Sequence, residues 1–144
     1  MLNEVVIAHE NGSYLVDLDC FVNDRCITRV HADGLIIATP TGSTAYSMGA
    51  GESCAAGMVC PMLDICVGGS IVHPQTKAIL MTPICPHTLS FRPMLFPDSV
   101  YLKIVVAASS RGNATITCDG KGTETLCVGD AIIVSSDVDV LLCY

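Results

Sequence analysis

Residues 33–47, Asp-Gly-Leu-Ile-Ile-Ala-Thr-Pro-Thr-Gly-Ser-Thr-Ala-Tyr-Ser, gather more hydroxyl side chains than any comparable stretch of this chain. Residues 35–38 are apolar and predict a buried strand. A turn of small residues follows, and residues 45–50 predict the start of a helix. The first N–H groups of a helix lack partners inside it and carry partial positive charge, so a strand, turn and helix start in this order suits a phosphate or a ribose. Gly42 lets a backbone approach closely. Ser43 and Thr44 can cap the first amides or donate to a ligand. No lysine stands in the turn and the Gly-x4-Gly-Lys-Ser/Thr spacing is absent, so this is not a P-loop. On residue chemistry alone the stretch is either an anion site or an ordinary capped turn.

The elements around it must position those hydroxyls. Residues 3–9 predict a strand and Asn11-Gly12 a turn. Residues 14–22 alternate, with Tyr14, Val16, Leu18, Cys20 and Val22 on one face and Asp17 and Asp19 on the other. Asn23-Asp24 turns the chain into a returning strand over 25–30, so the opening reads as a β-meander. Further strands are expected over 78–82, 100–107, 114–119, 124–127, 131–135 and 138–144, with Asp119-Gly120 in a hairpin turn. Pro83, Pro86 and Pro93 exclude a regular helix or a central strand from 83–93. The fold class is therefore mainly β (a β-rich α+β domain), a sandwich-like body with one or two helices.

Composition narrows the function classes. The 144 residues suit one domain, and 51% hydrophobic residues without a tryptophan imply an aliphatic core. A formal net charge of −7 argues against a general nucleic-acid or anionic-membrane binder. The N-terminus shows no basic and apolar leader, and no apolar run is long enough for a membrane span. Cytoplasmic location is the default expectation. The nine cysteines contain no Cys-x2-Cys pair, so no metal site is expected and free thiols are the plain reading.

Several strings together resemble the NAD kinase family, specifically the C-terminal, β-rich domain of its eukaryotic-type members. They are Asn3-Glu4 before a strand, Asp33-Gly34 running into Thr-Pro-Thr-Gly-Ser-Thr-Ala-Tyr46, Gly68-Gly69-Ser-Ile-Val-His73-Pro74, Thr82-Pro-Ile-Cys-Pro-His87 through Arg92-Pro93, and Asp119-Gly120. They occur in the family's order over most of the chain. The resemblance implies NAD as substrate, with Asn3 and Glu4 facing the adenine edge and ribose hydroxyls. It implies Asp33 near the nicotinamide ribose, and Thr41, Ser43, Thr44, Ala45 and Tyr46 along the adenosine and phosphates. Asp119 falls in a turn close to the site. His73 and His87 read as structural. ATP and Mg²⁺ are implied for the complete enzyme, and a homo-oligomer is the expected assembly.

Two departures qualify the resemblance. The family's Gly-Gly-Asp-Gly motif, which supplies the catalytic aspartate, occurs nowhere in these 144 residues. No catalytic residue is therefore assigned, and the expectation is an NAD-binding part of a kinase that is inactive alone. The alternative is a non-catalytic dinucleotide-binding or oligomerisation module; a distant lipid kinase relationship is disfavoured by the Thr-Pro-Thr-Gly-Ser-Thr string. Residues 52–67 are apolar and cysteine-rich, without helical or strand periodicity, and separate two strings that the family joins almost directly. They read as an insertion into one domain covering residues 1–144.

Overall fold

The computed structural model describes residues 3–10, 12, 14–50, 69–87 and 91–135, and the backbone of 141–143. The expected insertion at 52–67 lies outside them. Two antiparallel sheets pack face to face. Strands β1 (Glu4–His9), β4 (Gly34–Ala38), β5 (Ala78–Ile84), β6 (Met94–Pro97), β8 (Ala114–Cys118) and β9 (Lys121–Leu126) form the first, in the order β6-β5-β4-β1-β8-β9. The second holds β2 (Val16–Val22), β3 (Arg25–Ala32), β7 (Leu102–Val106), β10 (Ala131–Val134) and β11 (Leu141–Cys143), in the order β11-β10-β7-β2-β3.

The alternation read from residues 16–22 is what makes a sandwich. Val16, Leu18 and Cys20 point inward and are buried, while Asp17 and Asp19 face out on the same strand. Outside, Arg29 grips Asp19 through two hydrogen bonds of 2.6 and 3.1 Å, and His31 pairs with Asp17. The shared core takes Val5 and Ile7 from β1, Leu35 and Ile37 from β4, and Leu102 and Ile104 from β7. β4 does not alternate because it is covered on both sides. Its other face, Ile36 and Ala38, packs with Leu80, Ile84 and Ala50 in a second cluster.

The hairpins at 23–24 and 119–120 are two-residue turns with φ positive at both positions, 47° and 63° at Asn23 and Asp24, 48° and 68° at Asp119 and Gly120. Such turns follow the right-handed twist of the strands they join, and Asn, Asp and Gly tolerate the left-handed conformation.

Two expectations are corrected. Pro83 lies inside β5, which is an interior strand between β4 and β6. β6 pairs with the span from Ala78 to Met81, and beyond it no strand among the described residues pairs with that edge of β5. The carbonyl of Ile84 faces β4, accepting from Asp33 N at 3.0 Å. Backbone groups alternate sides along a strand, so Pro83 turns its nitrogen to the β6 side and breaks no ladder. The helix start expected over 45–50 is the four-residue α1, Tyr46–Gly49, preceded by a 3-10 turn, Thr41–Thr44. Free thiols are not universal: Cys85 is in a disulfide. Cys20 is free and buried, and burial pushes its thiol up to about 12, leaving it inert.

Leu18, fully buried between the sheets, tests this core. Leu18→Ala is expected to lower unfolding stability by about 2–5 kcal/mol, read by urea denaturation.

Candidate functional site

The Asn3-Glu4 main chain lies between two turns that fix it from opposite sides. β1 pairs with β4 on one side, Glu4 opposite Ala38, and with β8 on the other, Val5 opposite Cys118. Beyond the first ladder, the Asn3 carbonyl accepts from Thr39 N at 2.8 Å and from Thr39 Oγ1 at 3.1 Å. Beyond the second, Asp119 Oδ1 accepts from Asn3 N at 2.7 Å and from Glu4 N at 3.1 Å, while Asp119 N donates to Glu4 O at 2.9 Å. Gly42 presses on the same peptide. A Cβ on Gly42 would stand 2.1 Å from the Asn3 carbonyl oxygen, so only glycine fits.

The 3-10 turn is held from within rather than opened to an anion. Gly42 N donates to Thr39 Oγ1, Ser43 N to Pro40 O and Ala45 N to Gly42 O. Neither Ser43 nor Thr44 caps a helix. Ser43 is fully buried; its hydroxyl donates to Pro40 O at 2.7 Å, approaches Val72 O at 3.3 Å and accepts from Val72 N at 3.1 Å. Thr44 Oγ1 donates to Thr41 O at 3.4 Å. Behind the turn, the buried hydroxyls of Ser47 and Thr82 meet at 3.0 Å. Gly69 N donates to Ser47 O at 2.8 Å, so the chain returns at Gly69 beside the point where it left at Ala50.

The structure thus brings Asn3, Glu4, Asp119 and the turn bearing Thr41, Ser43, Thr44 and Ala45 to one end of the first sheet. Thr41 and Thr44 are exposed on it and Tyr46, just beyond, is 42% exposed. Asp33 is not among them. It precedes β4 while Thr39 follows it, a separation of about 20 Å along the strand. Asp33 lies beside His9, whose N–H donates to its carbonyl at 3.3 Å. Sequence reasoning passed over Thr39, which holds Asn3 twice. Its signal was a hydroxyl at the junction of a strand and a Pro-Thr-Gly turn. His73 and His87 hold local backbone: His73 Nδ1 accepts from Gln75 N, and His87 N donates to His31 O.

Electrostatically this end is acidic. Glu4 is only 8% exposed and its Oε2 atom is buried without a hydrogen-bond partner. Burial, and then the neighbouring Asp119 carboxylate, hold the Glu4 carboxyl above its ordinary value of 4.5. A buried carboxylate with an oxygen to spare recognises hydrogen-bond donors such as hydroxyl or amino groups, and repels a phosphate. Such an oxygen costs stability until a ligand satisfies it, on the order of 1–3 kcal/mol.

The sign of that cost fixes a prediction. With its carboxyl raised, native Glu4 binds its proton more tightly than the unfolded chain does. Stability therefore falls as pH climbs from about 4.5 through the folded value, and stays lost above it. Glu4→Gln removes the charge and offers an amide to Asp119. Its melting temperature is expected to exceed that of the parent at pH 7, by about 1 kcal/mol in stability, and the gap is expected to close towards pH 4.

Comparison with known proteins gives the site its family. The model of the ATP-NAD kinase C-terminal domain matches residues 2–67 and 63–139. Putative NAD kinase 3 of Oryza sativa subsp. japonica is 47% identical over 135 residues, which is 94% of this chain and 24% of that protein. NAD kinase 2, chloroplastic, of Arabidopsis thaliana is 43% identical over 92% of this chain and 12% of its own length. The crystal structure of yeast NADH kinase complexed with NADH superposes with a TM-score of 0.75 at 41% identity, covering 92% of this chain and 33% of that one. An NAD kinase from Archaeoglobus fulgidus in complex with ATP shares the fold, with a TM-score of 0.70 at 21% identity over 94% of this chain and 45% of that one. The chain spans about a quarter or less of these two plant relatives. It belongs to the NAD kinase family, and its fold is that family's C-terminal domain.

Proposed function

We propose that this chain is the NAD-binding part of an NAD kinase, which makes NADP by moving a phosphate from ATP to the 2′-hydroxyl of the adenosine ribose. The observation that carries the reading is the partnerless Oε2 of Glu4, buried where two turns converge on Asn3-Glu4. An amide and a carboxylate there suit the adenine edge and the ribose hydroxyls, which donate as well as accept. Thr41, Thr44, Ala45 and Tyr46 form the rim, and Tyr46 offers an aromatic face. Ser43 serves the site by locking the turn, because its hydroxyl is already committed. Asp33, at the far end of β4, suits only the distant end of an extended dinucleotide. Solved relatives complexed with NADH and with ATP support both nucleotides as ligands of the whole enzyme.

Phosphate transfer also needs a base beside the accepting hydroxyl and groups around the donor phosphates. The Gly-Gly-Asp-Gly motif that supplies the base in this family is absent from the sequence. Among the described residues no group of three or more His, Cys, Asp or Glu is placed to hold a metal. No step involving Mg²⁺ is assigned to these residues. The same absence supports the second reading, a binding module without catalysis, for the chain by itself. Self-association as a homo-oligomer rests on the family resemblance alone. No helix among the described residues is long and apolar enough to cross a membrane. Relatives are named for the chloroplast and the mitochondrion, so cytoplasmic location is only the default reading.

Purified chain incubated with NAD, ATP and Mg²⁺ is expected to form no NADP while binding NAD in a calorimetric titration. Tyr46→Ala should weaken that binding by roughly tenfold, the loss of one stacking contact. Clear NADP formation overturns the claim of incompleteness, and absence of NAD binding overturns the reading of the site.

Residues 52–67 read as an insertion for two reasons. The chain departs at Ala50 and returns at Gly69 against Ser47, and the family model matches in two pieces that overlap at 63–67. Deleting 52–67 is expected to leave a folded domain with a cooperative melt. A deletion product without a cooperative melt would count against an insertion.

A further inference from the structure

Asp119 carries the inference that goes furthest beyond the family reading. Its carboxylate is pointed at the protein's own backbone. Oδ1 accepts from Asn3 N at 2.7 Å and Glu4 N at 3.1 Å, across 116 and 115 residues of sequence, and the Asp119 amide returns a bond to Glu4 O. The β1–β8 ladder explains why. Val5 pairs with Cys118, so the next partner of Glu4 would be residue 119. There the chain leaves the strand for its two-residue turn, with φ 48° at Asp119 and 68° at Gly120. A main-chain acceptor is lost at that point, and the Asp119 side chain supplies one in its place. A charged acceptor makes these bonds shorter and stronger than a carbonyl would.

We infer that Asp119 is a positioning residue, one that acts on a bound dinucleotide by fixing the main chain of Asn3-Glu4 rather than by contacting the ligand. The opposite clamp, Thr39, holds the Asn3 carbonyl, and Glu4 pairs with Ala38 on that side. The Asp119 bonds hold the amides of Asn3 and Glu4 from the other side, and with them the direction of the Glu4 side chain. The same carboxylate that would repel a phosphate is thereby turned to a use inside the protein. The inference rests on the dinucleotide reading for its ligand, but the geometry it describes exists without one.

Two substitutions separate the roles. Asp119→Asn keeps an oxygen acceptor and tolerates positive φ; Asp119→Gly keeps the turn and removes the acceptor. Asp24→Gly, in the same kind of turn on the other sheet and bonded to the Tyr101 hydroxyl, controls for loss of a turn carboxylate. Two readouts are taken. Hydrogen exchange and amide shifts of Asn3 and Glu4 are recorded without ligand, and NAD affinity by calorimetry. Expected is parent-like protection and affinity, within about threefold, for Asp119→Asn. For Asp119→Gly, protection at Asn3 and Glu4 falls and NAD binds about tenfold or more weakly, while Asp24→Gly leaves both unchanged. Affinity lost equally in Asp119→Asn and Asp119→Gly, with the two amides still protected in the first, shows a direct charge contact with the ligand and overturns the inference. Unchanged protection in Asp119→Gly overturns it too. If the parent chain binds no NAD, the dinucleotide reading fails and the exchange arm alone still decides what Asp119 holds.

Discussion

The peptide between Asn3 and Glu4 is where the two halves of the first sheet depend on each other. β1 is interior in that sheet, and Asn3, just before it, lies beyond the last ladder pairs on both sides. There, side chains replace the missing strand neighbours: Thr39 from the β4 side and Asp119 from the β8 side. Buried backbone groups left unpaired are costly, so each turn must end with a hydroxyl or carboxylate where the ladder stops. Gly42 follows from the same constraint, because the turn carrying Thr39 rests on the Asn3 carbonyl with no room for a Cβ.

This arrangement also explains why the turn is closed to anions. The amides that would cradle a phosphate are spent on Thr39 Oγ1, Pro40 and Gly42. What remains unsatisfied is a carboxylate oxygen of Glu4, held in a protonation-sensitive setting by burial and by Asp119. The chemistry at this end is selective for donors. Such a group, buried and without a partner, is kept at some expense of stability.

Much of the sandwich was legible from period-two patterning. Residues 16–22 announced their inward and outward faces, and the two type I′ hairpins were visible as Asn-Asp and Asp-Gly. The errors came where a local rule met a wider context. Pro83 looked incompatible with an interior strand because the sequence does not reveal that β6 stops short of it. The helix start after the turn is present, but Ser43 and Thr44 do not cap it, since their hydroxyls bond to carbonyls and to Val72. At the site, residue types marked Asn3, Glu4 and the hydroxyl turn. They did not mark the convergence itself, which joins segments more than a hundred residues apart, nor the distance that β4 puts between Asp33 and the rest.

That separation has a consequence for how the protein comes into being. β1 is synthesised more than a hundred residues before its neighbour β8, which begins at Ala114, and the second clamp waits for Asp119. Pairings this remote close late and slowly, because loop entropy is spent before contacts repay it. Until then the central strand of the first sheet carries an open edge, the form of nascent chain that chaperones protect. The converged turns and the completed sheet arise together, so a partly folded molecule presents no partial version of the site.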